Sequence, residues 1–154
     1  MLPRCADSDL VDAASEVLGM MFFTDVMNGN VPSEPPEKPL TVKVEFQGSS
    51  TGMLHMSMPR ETAEALTANF LGLPMGEVPS EEEVNNVVNE LGNMVCGSFL
   101  SKHQSEELYD LSKPEILGAA GELPTQVATL RRSLELDNGM MVLALSWDRL
   151  NSRA

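Results

Sequence analysis

Positive charge is what this sequence has least of. Its 154 residues carry 10 Lys and Arg against 23 Asp and Glu, a formal net charge of −13 at pH 7. Proteins that bind DNA or RNA neutralise phosphates with clustered Lys and Arg, so nucleic acid is excluded as a partner. An anionic membrane surface is disfavoured for the same reason. Cysteine is scarce as well: Cys5 and Cys96 are too few for a disulfide framework. His55 and His103 are the only histidines, and neither stands three or four residues from Cys96. A thiolate–imidazole pair therefore has no support, and Cys96 reads as a small buried hydrophobe. No cluster of His, Cys and acidic residues has metal-ligand spacing. The N-terminus lacks a charged start followed by an apolar run, so no signal peptide is expected. No apolar stretch is long enough to span a bilayer. The expected location is the cytoplasm.

What is present suits one domain over residues 1–154. The composition, 42% hydrophobic and 21% charged, is that of a chain able to bury a proper core. The chain is organised around residues 80–104, SEEEVNNVVNELGNMVCGSFLSKHQ. Ser80 and Glu83 form a capping box, a helix-start signature. Val84, Val87, Val88, Leu91, Val95 and Phe99 follow at spacings of three and four, which gathers them on one helical face for the core.

The opposite face is unusual. At about 100° per residue, Asn86, Glu90, Asn93 and Gly97 fall within roughly 60° of one another. Asn and Gly are poor helix formers, Gly by about 1 kcal/mol relative to Ala. Yet this helix holds Asn85, Asn86, Asn89 and Asn93, with Gly92 and Gly97. Local rules broken on an exposed face mark function, and Gly97 would let another backbone come close. The pattern E-x-x-N occurs three times, as Glu82/Asn85, Glu83/Asn86 and Glu90/Asn93. Position separates them. Carboxylates in the first turn favour the helix dipole, and Glu83 serves the cap; no cap explains Glu90 and Asn93 in mid-helix.

Glu90-Leu91-Gly92-Asn93 followed by Gly97 resembles the E-x-x-N signature of the CheC/CheX/FliY chemotaxis phosphatases. Val44-Glu45-Phe46-Gln47-Gly48 to Gly52-Met53-Leu54 resembles that family's first hairpin, and Pro114-Glu115-Ile116-Leu117-Gly118 its proline-led segment after the site helix. The likeness runs from about Leu10 to Trp147. Two departures are visible. Asn86 stands where the family usually has Asp or Ser, and the interval from Asn93 to Pro114 is slightly shorter than usual. CheC proteins carry a second E-x-x-N in the first helix; here the nearest match, Glu16-Val17-Leu18-Gly19, ends in glycine. A single site makes the likeness closest to CheX.

Elsewhere the pattern predicts a first helix capped by Asp7 or Ser8 and ending near Asn28-Gly29, with Leu10, Ala14, Val17, Leu18 and Met21 as its buried stripe. Residues 31–39, VPSEPPEKP, are a proline-rich loop. Thr41 to Gln47 alternates, with Val42, Val44 and Phe46 inward. Met53 to Met58 returns with Leu54, Met56 and Met58 on one face, and His55 and Ser57 at the surface. A helix follows from Pro59 to Gly72, where glycine then Pro74 ends it. Glu106, Glu107 and Asp110 read as a solvated acidic face, and Ile116 and Leu117 as a short strand. Thr125 to Leu136 and Gly139 to Trp147 form a second hairpin through Asp137-Asn138-Gly139. The eleven methionines fall at spacings of core fillers.

The predicted fold is therefore α+β, a mainly antiparallel sheet with long helices packed on one face, built from two pseudo-symmetric helix–hairpin halves. Residues 140–147 are apolar on both alternating faces, which suggests two-sided burial or an interface. CheX proteins pair as dimers, so the resemblance implies a homodimer with a paired sheet edge.

The resemblance also implies a chemistry: hydrolysis of the aspartyl phosphate of a CheY-type response regulator. An acyl phosphate is already labile, so positioning matters more than acid–base strength. Asn93 offers an amide that can both donate to and accept from a water held in line behind phosphorus. Glu90 would pair with the regulator's active-site lysine, and Asn86 and Gly97 would line the contact. The chain would bring no cofactor of its own; magnesium would come with the regulator. The alternative reading is a module that docks a regulator without hydrolysing it.

Overall fold

The computed structural model describes residues 6–28, 39–48, 51–103, 109–117 and 128–148. In chain order these form α1 (Ala6–Met21), β1 (Val26–Asn28), β2 (Leu40–Gln47), β3 (Thr51–Met58), α2 (Arg60–Leu71), α3 (Glu81–His103), β4 (Asp110–Leu111), β5 (Glu115–Leu117), β6 (Ala128–Leu136) and β7 (Gly139–Asp148). No described helix is long and apolar enough to cross a membrane.

The strands make one antiparallel sheet in the order β1-β6-β7-β3-β2-β4, with β5 also on β2. The order is symmetric about the β3–β7 pair. Each half supplies a long hairpin, β2–β3 or β6–β7, and these meet through β3 and β7. The short strands cross over: β1 of the first half pairs with β6 of the second, and β4 and β5 pair back with β2. Two helix–hairpin units are thus clasped by strands each gives to the other.

Alternation decides what the sheet buries. Val42, Val44 and Phe46 of β2 point the same way as Leu54, Met56 and Met58 of β3 and Met141, Leu143 and Leu145 of β7. All are buried in one core with Leu10, Ala14 and Leu18 of α1, Leu66 of α2, and the apolar face of α3. The three helices therefore cover one face.

Four sequence expectations change. The first helix ends at Met21 rather than near Asn28, and Val26–Asn28 is strand. Its end is set by tertiary contacts. Phe22 stacks on Phe70 of α2 at 4.9 Å between ring centroids, and Asn69 Nδ2 donates to the Phe22 carbonyl at 3.0 Å. Asp7 and Ser8 already lie inside the helix, and Met21 is exposed rather than part of the buried stripe. His55 and Ser57 are buried, not at the surface. Finally, β7 lies between β6 and β3, so of the two readings of its apolar faces, two-sided burial or an interface, two-sided burial holds, and a paired dimer edge would not lie on this strand. The loop at 31–38, the acidic residues 106 and 107 and the start of the second hairpin at 125 lie outside the described residues.

Candidate functional site

The site helix α3 starts as its capping box dictates. Glu83 N–H donates to Ser80 Oγ at 3.1 Å, and Ser80 N–H donates to Glu83 Oε1 at 2.9 Å. Val84, Val87, Val88, Leu91, Val95 and Phe99 are all buried. Burying six such side chains contributes on the order of 10 kcal/mol. The propensity lost at four Asn and two Gly is a few kcal/mol. Packing therefore holds this helix against its own composition, and its outer face is free to carry residues chosen for something else.

That outer face holds the expected stripe. Asn86 and Glu90 are exposed, and Asn93 and Gly97 are half-buried. The Glu90 side chain has no hydrogen bond or ion pair among the described residues. No basic residue precedes Lys102 on α3 to meet it, and the positions three and four away are Asn86, Val87, Asn93 and Met94. Asn93 likewise makes no side-chain hydrogen bond to any described residue. The carboxylate and the amide, three residues apart and hence neighbours on one helical face, are both available to a partner.

The two glycines of α3 differ. A β-carbon at Gly92 would stand 3.1 Å from Val42 Cγ1 and 3.4 Å from Val44 Cγ2, so Gly92 lets the helix close onto β2. It is buried and structural, not part of an exposed functional face. Among the described residues, a β-carbon at Gly97 would meet only Leu111 Cδ1 at 3.9 Å, ordinary contact, and none of them requires glycine there.

Gly97 leads to residues the sequence reading missed. Leu111 belongs to β4, opposite Phe46, while β5 resumes with Glu115 opposite Lys43. The edge thus takes four steps from Leu111 to Glu115 where β2 takes three from Phe46 to Lys43, which is a bulge at Ser112-Lys113-Pro114. Bulges concentrate at sheet edges beside sites, where they re-aim side chains. Ser112 fixes this one: its N–H donates to the Glu45 carbonyl at 2.8 Å, and its Oγ accepts from Glu45 N–H at 3.0 Å. Proline at 114 was the sequence signal, but only strand pairing reveals the extra residue.

The corresponding position in α1 is engaged internally. Lys102 Nζ lies 2.7 Å from Glu16 Oε2, and this hydrogen bond, with the nearby acidic residues of α1, raises the lysine pKa. Next to it, His103 Nδ1 lies 2.9 Å from Asp9 Oδ2, with the imidazole stacked on Phe99. Glu16 is bound to its own chain, and Gly19 has no side chain to offer. The other reactive group, the Cys96 thiol, is buried and pushed up to about 12 by loss of solvent, so it is inert as a nucleophile. Among the described residues no cluster of three or more His, Cys, Asp or Glu could hold a metal.

Comparison with known proteins agrees with this architecture. The family model for the chemotaxis phosphatase CheX matches residues 40–132. The chain is similar to the crystal structure of the CheX–CheY–BeF3–Mg2+ complex from Borrelia burgdorferi, at 20% identity and TM-score 0.76, covering 92% of this chain and 96% of that one. It also resembles CheX from Desulfovibrio desulfuricans, at 15% identity and TM-score 0.75, covering 93% and 99%. CheX from Vibrio vulnificus gives 17% identity and TM-score 0.73, covering 92% and 95%. At these identities the structural likeness speaks for the fold. No curated protein gives a significant match.

Proposed function

Because the chain belongs to the CheX chemotaxis phosphatase family, we propose that it hydrolyses the aspartyl phosphate of a CheY-type response regulator, with Glu90 and Asn93 as the working pair. The observation that carries this is their availability. A carboxylate and an amide stand together on the outer face of α3 with no partner among the described residues. A buried core, not the stripe, holds the helix in place. Glu90 takes the ammonium of the regulator's active-site lysine, and this ion pair fixes the helix in register over the phosphorylated pocket. Asn93 then orients water in line with the phosphorus, one lone pair accepted and one N–H donated. Asn86 and Gly97 line the contact on either side.

The relative from Borrelia was crystallised in a complex with CheY, BeF3 and Mg2+, which supports a regulator as the partner here; that magnesium would come with the regulator is part of the proposal. The cytoplasm is part of the same proposal, as the family membership suggests. We also keep the homodimer as a proposal, moved from β7 to the edge of β1. Among the described residues β1 pairs only with β6, and Met20, Phe23 and Met27 beside it are strongly exposed. Light scattering at micromolar concentration tests it, and a monomeric mass refutes it.

The decisive experiment is dephosphorylation of a purified phosphorylated regulator with and without the protein. Acceleration over spontaneous decay that Asn93→Ala removes is the expected result. Binding of the regulator without acceleration assigns the chain instead to a docking module.

A further inference from the structure

Among the described residues, the cation beside the site with no ion-pair partner is Lys113. We propose that Lys113 is a positioning residue that docks the acidic rim of the regulator's phosphorylation pocket, opposite in sign to Glu90 and acting with it. The inference deepens the phosphatase reading and rests on it.

The location follows from register. Gly92 lies over Val42 and Val44, and Gly97 lies by Leu111, whose strand partner is Phe46. Helix α3 therefore runs along β2, its later residues toward Phe46. The bulge at Ser112-Lys113-Pro114 falls between the pairs Leu111–Phe46 and Glu115–Lys43, beside Val44. It flanks the stretch of α3 from Gly92 to Gly97 and so stands next to Asn93. A β-carbon built on Gly97 would stand 3.9 Å from Leu111 Cδ1, so Gly97 points toward β4, which puts the stripe on the side of α3 that faces the bulge. A partner seated on Asn93 and Gly97 meets the bulge as well. Ser112 holds that bulge by two hydrogen bonds to Glu45, so Lys113 is presented from a fixed backbone.

Charge gives the second argument. A pocket that carries a phosphoryl group and a magnesium ion must supply carboxylates to hold the metal. Such a rim approaching a chain of net charge −13 is repelled unless the contact itself is locally positive, because like charges juxtaposed at an interface are strongly unfavourable. The other described cations do not serve. Lys43 is held by Glu45 and Glu115, Arg60 by Glu64 and Glu81, and Lys102 by Glu16. Arg131 and Arg132 are on β6, across β7 and β3 from the β2 edge. Lys113 is exposed and makes no side-chain ion pair among the described residues.

The test compares Lys113→Glu, Lys113→Gln and Lys113→Arg with the wild type, in dephosphorylation kinetics and in titrations of a BeF3-activated regulator across a range of salt. A rim charge acts on encounter and its salt dependence. Lys113→Glu should therefore raise KM and Kd about tenfold at low salt while kcat stays within about twofold, and the difference should shrink as salt rises. Lys113→Arg should behave as wild type, and Lys113→Gln should fall between. Asn93→Ala should show the opposite split, losing kcat with Kd retained. If the wild type is active and Lys113→Glu matches it in KM, Kd and salt slope, the assignment of Lys113 is wrong and the phosphatase reading stands. If the wild type neither binds nor accelerates decay, both fall together.

Discussion

Gly92 lies so close to Val42 that a β-carbon at position 92 would stand 3.1 Å from Val42 Cγ1 and 3.4 Å from Cγ2. Five residues on, a β-carbon at Gly97 would have, among the described residues, only Leu111 within 4 Å. Alanine is favoured over glycine in a helix by about 1 kcal/mol, while overpacking a core costs about 1–3 kcal/mol. Gly97→Ala should therefore raise the denaturation midpoint by the equivalent of about 0.5–1 kcal/mol. Gly92→Ala should show no gain or a loss, since Val42 and Val44 are stiff β-branched residues in a paired strand. Urea denaturation of the two variants checks this. If Gly97 serves docking, its alanine variant should be the more stable protein and the weaker regulator binder.

Glu90 and Asn93 should fail in different ways. Asn93→Ala removes an interaction made chiefly in the transition state, so the catalysed rate should fall about 100-fold or more with binding nearly unchanged. Glu90→Ala removes an interfacial ion pair and should weaken both, with a loss of about 2–5 kcal/mol in binding if the pair is desolvated. Asn85→Ala, off the stripe, is the control. Neither site change should move the denaturation midpoint much, because neither residue belongs to the buried core and neither side chain has a hydrogen bond or ion pair to a described residue. A wild-type rate for Asn93→Ala would end the catalytic assignment.

The buried imidazole of His55 predicts a pH dependence. Burial lowers its pKa, the neighbouring Lys43 lowers it further, and Glu45 opposes. In the unfolded chain the group titrates near pH 6.5, so below that the unfolded state binds the extra proton first. Stability from this group is complete above pH 6.5 and is lost as pH falls toward the depressed folded value. The drop in denaturation midpoint from pH 7.5 to 5.5 should be smaller in His55→Gln than in the wild type. Equal drops would show that His55 is not the titrating group.

Cys96 should be silent. With its thiol buried and pushed up to about 12, a Cys5→Ser protein should show no fast reaction with a thiol reagent at pH 8 until denaturant is added. Rapid alkylation of the folded protein would contradict the burial of the inner face of α3.

Local periodicity and end signals settled much by themselves. The capping box of Ser80 and Glu83, the apolar face from Val84 to Phe99, the alternation of β2 and the turn at Asp137-Asn138 all depend on residues a few positions apart, and all are where the pattern places them. Glu90 and Asn93 could be picked from three matching pairs because helix position alone distinguishes a capping carboxylate from a mid-helix one.

Long-range pairing settled the rest. The same apolar pattern in β7 fits an exposed interface or a central strand, and only its neighbours β3 and β6 decide for the centre. His55 looks like a surface residue by alternation, yet it is buried between its strand partners Lys43 and Ala144. α1 stops at Met21 because Phe70 and Asn69, almost fifty residues away, seal its end. Two glycines in one helix are indistinguishable as letters; Val42 and Val44 crowd one, and among the described residues only Leu111 stands near the other. The bulge that carries Lys113 is of the same kind, since it depends on the register of β2 against β4 and β5, which no local spacing contains.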